Sequence, residues 1–229
     1  DADLCMTFKT YLSTLYFCLL TWVLTLLIGF SVAYFLAFYV KTIPVQIALF
    51  LICTIPFWTS NVIRMVSWIP LLGRHGLIND TLILLGIIDT PVEWFLYSEF
   101  SVILALVHLY TLFMIVPIFN SMMRIDKSII EGAYDAGASE IQILTNIIIP
   151  LCKPGIVIGS IFVVTVVMGD FVTIGIMGGQ QLASIGKIIN TEMNYLQLPG
   201  AAANAVILLL ITIIIIITMT KFIDIRKEL

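Results

Sequence analysis

Five long apolar stretches dominate this sequence and leave few choices of fold. Each holds about 20 or more mostly apolar residues, the length that a helix rising 1.5 Å per residue needs to cross a bilayer. The apolar residues run all round each helix and not along one face, as in lipid-exposed or bundle helices. The stretches are Leu12 to Val40, Val45 to Leu72, Phe100 to Met123, Gly155 to Met177 and Ala201 to Ile223. The sequence therefore predicts an all-α integral membrane protein with five spans.

The charge content excludes a soluble protein. Only 11% of the 229 residues are charged, against about 25% in an ordinary soluble domain. The formal net charge of -3 provides no basic surface for nucleic acid. The four cysteines are scattered and form no C-x-x-C pair, so neither a metal site nor a redox pair is predicted.

The basic residues predict the orientation of the spans. If the segment 125–153 between the third and fourth spans is cytoplasmic, seven basic residues lie inside and three outside, which satisfies the positive-inside rule. Segments 73–99 and 178–200 are then external, and within the first, Leu77 to Ile88 is too short to span and predicts an interfacial or re-entrant helix. This orientation places the N-terminus outside, and we expect a sixth span upstream. The inside residues are Lys41, Arg124, Lys127, Lys153, Lys221, Arg226 and Lys227; the outside ones are Lys9, Arg74 and Lys187.

The cytoplasmic segment is the most informative part of the chain. Its core, Ser128 to Ile149, is compatible with a helix that Asp126 or Ser128 can cap. Gly137 is unfavourable in a helix interior and indicates a turn between two short helices. Small side chains around it would let another surface approach closely. The residues alone leave two interpretations, a docking element and a solvated amphipathic connector.

The spacing in this segment resembles the EAA loop of ABC importer permeases. Glu131-Gly132-Ala133, Gly137 and Ile147 to Pro150 match that pattern, with Gly132 in place of alanine and Ile149 in place of leucine. The resemblance implies a type I ABC importer permease bundle, in which this loop is the coupling helix that fits a groove on the ATP-binding subunit. The residues implied in coupling are Glu131, Gly132, Ala133, Asp135, Ala136, Gly137, Ala138, Ile141 and Leu144.

The resemblance covers nearly the whole chain, from about Leu12 to Lys227, and predicts a single permease domain, 1–229. It is strongest to the spermidine/putrescine permease branch. Pro56 to Ser60 followed by Arg64, the Met177-Gly178-Gly179 loop and Pro199 to Ala202 carry it. It implies transport of a polyamine, or of a related small solute such as an opine, across the bacterial inner membrane. The implied partners are a homodimeric ATP-binding subunit that holds ATP and magnesium, a second permease subunit that is homologous or identical, and a periplasmic solute-binding protein.

No catalytic motif is present. A G-x-x-x-x-G-K-[ST] phosphate-binding loop is missing, as is any nucleophile placed beside a base. We therefore expect no enzyme activity and no cofactor in this subunit. Two other functions stay open: a secondary transporter, which would need more intramembrane charge and an internal repeat, and a membrane assembly protein without transport.

Three ionisable residues fall within predicted spans: Arg64, His108 and Asp170. Such residues are costly in lipid, so we expect them to be paired or to face a watery cavity. We hypothesise that Arg64 and Asp170 approach one another, as a packing ion pair, as part of a substrate pathway or as a gate. Carboxylates and aromatic faces would suit a cationic substrate, although each aromatic residue is also a candidate interfacial anchor. The candidate pathway residues are Trp58, Arg64, Trp68, His108, Tyr110, Asp170, Glu192 and Tyr195.

Gly155 and Gly159 open the fourth span with a G-x-x-x-G pattern. Glycines at this spacing allow two helix backbones to approach closely. The pattern predicts a tight helix contact, either within the bundle or at a subunit interface.

Overall fold

A computed structural model describes residues 2–179 and 181–221 of the chain. The predicted span end Ile223 and the basic residues Arg226 and Lys227 lie outside the described residues. All regular secondary structure in the described part is helical, and no strand is present there, which confirms the all-α class. The helices are α1 (Ala2–Tyr34, continued by a π-helical turn Phe35–Tyr39), α2 (Ile43–Thr54), α3 (Asn61–Leu72), α4 (Leu77–Leu84), α5 (Glu99–Met123), α6 (Lys127–Asp135), α7 (Glu140–Ile143), α8 (Ile149–Leu151), α9 (Lys153–Gly169), α10 (Val172–Met177), α11 (Ile185–Asn194) and α12 (Leu198–Lys221).

Three of the described helices are long and apolar enough to cross a membrane: Met6–Tyr39, Glu99–Met123 and Leu198–Lys221. Two pairs of helices also pass this test together but are bent at a break: Ile43–Trp58 with Asn61–Leu84, by 90°, and Glu140–Leu151 with Lys153–Gly169, by 64°. If each interrupted pair is one span, the number of candidate spans in the described residues is five. Within the predicted spans, the second is broken before Asn61, and the fourth, Gly155 to Met177, is interrupted between Gly169 and Val172.

The chain forms two compact units, each built from several separated segments. Unit one holds the chain up to Trp22 together with Phe57–Leu109 and Val164–Ile213. Unit two holds Val23–Pro56, Tyr110–Val163 and, at the end of the described residues, 214–221.

Glycine contacts on α5 organise unit two. A Cβ added at Gly155 would lie 2.5 Å from the carbonyl oxygen of Pro117. Cβ atoms added at Gly29 and Gly159 would lie 2.9 and 2.8 Å from side-chain atoms of Met114. Both α1 and α9 therefore pack on α5 at backbone distances that only glycine, which has no Cβ, permits. The predicted G-x-x-x-G contact is confirmed as one within this chain.

Buried hydrogen bonds fix the connections of unit one. The Ser101 hydroxyl on α5 donates to the Met177 carbonyl at 3.0 Å, and the Ile185 amide donates to the Thr14 hydroxyl at 3.0 Å. Because both contacts are buried, each satisfies a backbone group that would otherwise be costly. The segment from Met177 to the start of α11 is thereby attached to α1 and α5.

The predicted interfacial segment Leu77 to Ile88 contains the shorter helix α4, which ends before Gly86 at φ +67°. Asn79, which interrupts its apolar sequence, is fully buried. Its side-chain amide donates to the carbonyls of Gly73 and Val92, and its oxygen accepts the Val92 amide at 2.8 Å. This asparagine therefore closes the loop on either side of α4.

Candidate functional site

The segment between α5 and α9 folds as two short helices with a glycine turn, as the sequence predicts. The Asp126 carboxylate accepts the Ser128 amide at 3.1 Å and caps α6. The amides of Gly137 and Ala138 donate to the carbonyls of Tyr134 and Ala133, which closes α6 with a Schellman motif. Gly137 has φ +82°, a conformation that favours glycine.

A capping box starts α7 immediately after this turn. The Ser139 amide donates to the Gln142 side chain at 2.9 Å, and the Ser139 hydroxyl accepts the Gln142 amide at 3.4 Å. Such reciprocal bonds satisfy two amides at the start of a helix. The two helices therefore have defined ends, and the shape of the segment follows from its own sequence.

The same segment exposes several large apolar side chains. Helix α6 has no buried residue, and Ile129 and Tyr134 are 47% and 50% exposed. On the second helix Ile141 is 74% exposed, whereas Ile143, at its end, and Ile148, in the π-helical turn Leu144–Ile148 that follows, are each 2% exposed and anchor the segment. Sequence analysis did not single out Ile129 and Tyr134, although both are large apolar residues in a segment predicted to be cytoplasmic. None of the nine predicted coupling residues is buried.

The two glycines of this segment have different roles, and this difference can be tested. Nothing lies within 4 Å of a Cβ added at either Gly132 or Gly137, but only Gly137 has a positive φ. We expect Gly132→Ala to stabilise α6 by about 1 kcal/mol and Gly137→Ala to destabilise the turn by about 1 kcal/mol. Hydrogen exchange of the amides of residues 127–143 should slow in the first variant and accelerate in the second. Equal changes in both would contradict the assigned turn.

Three predicted pathway residues come together in unit one. Arg64, 9% exposed, donates to the side-chain oxygen of Asn61 at the start of α3. One turn later, the Trp68 indole N–H donates to Nδ1 of His108 on α5 at 3.3 Å, and the two rings meet edge to face. Since Nδ1 accepts this bond, the neutral imidazole carries its proton on Nε2. His108 also lies within electrostatic range of the Arg64 guanidinium.

Asp170 lies at the break between α9 and α10 and caps the second helix. Its two carboxylate oxygens accept the amide and the hydroxyl of Thr173, at 2.9 and 2.6 Å. This D-x-x-T arrangement was readable from the sequence, but we did not recognise it there. Helices α3 and α10 pack together within unit one. The hypothesis that Arg64 and Asp170 form a pair stays a prediction.

The cap assigned to Asp170 makes a testable prediction. We expect Asp170→Ala to cost about 1–2 kcal/mol of stability, because it removes both acceptors for Thr173. Asp170→Asn retains one side-chain oxygen and should restore most of that loss, as measured by thermal unfolding of the solubilised protein. A double-mutant cycle with Arg64→Ala, read out by transport, tests the ion pair, and additive losses would exclude it.

A third polar group joins α1, α11 and α12. The side-chain amide of Asn204 donates to both carboxylate oxygens of Glu192, at 3.2 and 3.1 Å. The Tyr11 hydroxyl donates to the backbone carbonyl of Asn204 at 3.1 Å. A Cβ added at Gly200 would lie 3.2 Å from a Glu192 oxygen, so this glycine lets the carboxylate approach α12. Sequence analysis identified Glu192 but missed Asn204 and Tyr11. The sequence did contain a signal for Asn204, because a side-chain amide within an apolar span is costly and indicates a polar partner.

The structure places the remaining predicted residues as follows. Trp58, 85% exposed, ends a short 3-10 turn, and Tyr195, 76% exposed, follows α11. Tyr110 belongs to unit two, where it is buried and packs against Phe113 with 6.1 Å between ring centroids. Among the described residues, no group of three or more metal-ligating side chains comes together.

Long apolar helices with ionisable side chains within them define a multi-pass membrane protein. The sequence profile of the binding-protein-dependent transport system inner membrane components matches residues 6–227. The chain belongs to this family, and it is therefore a multi-pass protein of the bacterial inner membrane.

Individual relatives support the family assignment. The chain is 34% identical over 207 residues to the spermidine/putrescine transport system permease protein PotB of Escherichia coli, covering 89% of this chain and 74% of that protein. It is 35% identical over 205 residues to the PotB protein of Salmonella typhimurium, with 89% and 70% covered. The PotB protein of Haemophilus influenzae is 34% identical over 171 residues, with 74% and 58% covered.

Proposed function

We propose that this chain is one membrane subunit of an ATP-driven importer for polyamines. The observation that carries the proposal is the connecting segment: its EAA-type spacing coincides with two capped helices that leave apolar side chains uncovered. An amphipathic helix with an exposed apolar face is typical of a helix that docks into a groove on a partner. The named substrates of the relatives, spermidine and putrescine, suggest the polyamine.

In this proposal segment 127–144 lies in the cytoplasm and fits a groove on the ATP-binding subunit. Ile141 and Tyr134 supply apolar contact, and the turn at Gly137 sets the angle between the two helices. ATP and magnesium bind to a homodimer of that separate subunit. A second permease subunit, homologous or identical, completes the pathway, and a periplasmic binding protein delivers the solute.

The proposed pathway uses the polar groups of unit one. Glu192 is the best candidate to contact an ammonium group, because Asn204 orients its carboxylate. Arg64 would repel a cation, so we assign it, with Trp68 and His108, to shaping the passage. The other pathway candidates, Trp58, Tyr110, Asp170 and Tyr195, keep the roles proposed from the sequence.

Reconstituted uptake tests this function. The complete complex in proteoliposomes should import radiolabelled spermidine or putrescine only with internal ATP and external binding protein. A protonophore should leave the rate unchanged, because ATP and not an ion gradient drives transport. Uptake that persists without ATP and stops with the protonophore would support a secondary transporter instead. Import of an opine in place of polyamines would refute the proposed substrate.

A further inference from the structure

A cavity in unit one lies outside the groups described so far. It has a volume of about 660 Å³, within the usual range of about 300–1,000 Å³ for small-molecule sites. Its lining residues come from the loops before and after α4, the start of α5 and the loop at Gln181 and Leu182. All of them fall in the segments 73–99 and 178–200 that the sequence predicts to be external. We call it the Trp94 cavity, after the aromatic residue on its wall.

The side chains that line the Trp94 cavity carry one more negative charge than positive. Two carboxylates, Glu93 and Glu99, and one guanidinium, Arg74, line it. Arg74 pairs with Glu93 at 3.2 Å, but both side chains are largely exposed, at 65% and 72%. An exposed ion pair of this kind contributes little free energy, so an incoming ammonium group can replace Arg74 at Glu93. Glu99 adds a second negative charge.

Two aromatic side chains of the cavity are held in fixed positions. The Trp94 ring lies against Phe95 and Phe100, with centroid distances of 4.8 and 5.5 Å. Tyr97 has φ +58°, an uncommon conformation for a residue with a side chain. A Cβ added at Gly179 would lie 3.0 Å from the Tyr97 ring, so the ring rests on this glycine. Fixed aromatic faces lose little entropy on binding a cation.

The opposite wall is fixed by a partly buried lysine contact. The Lys187 ammonium donates to the carbonyls of Gly179 and Leu182. With the Ser101 bond to Met177, this contact holds the loop that carries Gln181 and Leu182. The cavity is therefore formed before any ligand arrives. Backbone strain at Tyr97 is of the kind that persists at binding sites when the surrounding structure enforces it.

We infer that the Trp94 cavity binds an organic cation with two or more primary ammonium groups, at the external mouth of the permease. Glu93 and Glu99 accept hydrogen bonds from the ammonium groups, while Trp94 and Tyr97 cover the alkyl chain and contribute cation–π attraction. The site captures a polyamine before it enters the membrane pathway. This inference rests on the proposed polyamine transport and adds a second, external binding site to it.

Direct binding to the assembled complex tests the site. The complex in nanodiscs, without its binding protein, is titrated with spermidine by calorimetry at low salt. We expect Glu99→Gln and Trp94→Leu each to raise the Kd about tenfold, and Trp94→Phe, which keeps an aromatic face, to restore most of the affinity. Asp89→Asn is the matched control, because Asp89 is exposed in the same loop but does not line the cavity. It should leave the Kd unchanged.

Three outcomes would overturn the inference. The parent complex could bind no spermidine without the binding protein, or Glu99→Gln and Asp89→Asn could have the same effect. The cavity variants could also lose affinity for the binding protein alone, which would make the cavity a protein-docking surface. Uptake by the parent complex is measured separately: if uptake stands and these binding tests fail, only the external site is refuted. If the parent complex does not import polyamines, the proposed function itself fails.

Discussion

Ile141→Asp is expected to uncouple the transporter while leaving the permease folded. Ile141 is 74% exposed, so a charge there disturbs no contact within the chain. In the docked complex the same charge would be buried in an apolar groove without a partner, which is costly. Loss of an apolar anchor at an interface typically weakens binding by about thirtyfold or more. Copurification with the ATP-binding subunit and ATP-driven uptake should both fall to near background.

The matched control for this variant is Asn146→Asp. Asn146 is exposed two residues from the buried Ile148, and the change adds the same charge with almost no change in shape. We expect it to retain copurification and most of the uptake. If both variants lose the ATP-binding subunit equally, added charge and not the apolar contact explains the loss. If neither does, Ile141 is not part of the docking surface.

Gly155→Ala is expected to destabilise unit two. The added methyl group would lie 2.5 Å from the Pro117 carbonyl and 2.5 Å from the Ser121 hydroxyl. Backbone cannot move aside as the tip of a flexible side chain can, so α9 and α5 must separate. Overpacking of this kind costs about 1–3 kcal/mol, and occasionally more. Thermal unfolding of the solubilised protein should shift to lower temperature, and yield should fall.

Gly175→Ala provides the comparison. Gly175 lies in α10, and nothing is found within 4 Å of a Cβ added there. Alanine is favoured over glycine in a helix by up to about 1 kcal/mol, so this variant should be as stable as the parent or slightly more so. A parent-like melting temperature for Gly155→Ala would contradict the close α9–α5 contact.

Local patterns explain what the sequence predicted correctly. The apolar stretches, the Asp126 cap and the Gly137 turn depend on residues within a few positions of one another. The close contact at Gly155 was also predictable, because glycine spacing indicates that a helix backbone is approachable. The surface of α5 that Gly155 contacts was not predictable, because nothing in the sequence identifies which of several apolar helices packs against this glycine.

Long-range contacts explain most of what sequence analysis missed. The Glu192 carboxylate is oriented by Asn204, 12 residues away and on another helix, and by no local motif. The break after Gly169 was different: Asp170 was considered only as an intramembrane charge, although its spacing to Thr173 permitted a cap. A helix cap inside an apolar stretch was the correct local signal for an interrupted span.

Photo-crosslinking from position 141 tests the central claim, that segment 127–144 docks on the ATP-binding subunit. A photoreactive phenylalanine replaces Ile141 in the assembled complex, and Leu84 is the control position, being 87% exposed on α4 in a segment predicted to be external. The account predicts an adduct of permease and ATP-binding subunit from position 141 and none from position 84. An adduct from position 84 alone, or none from either in a complex that hydrolyses ATP, would contradict it.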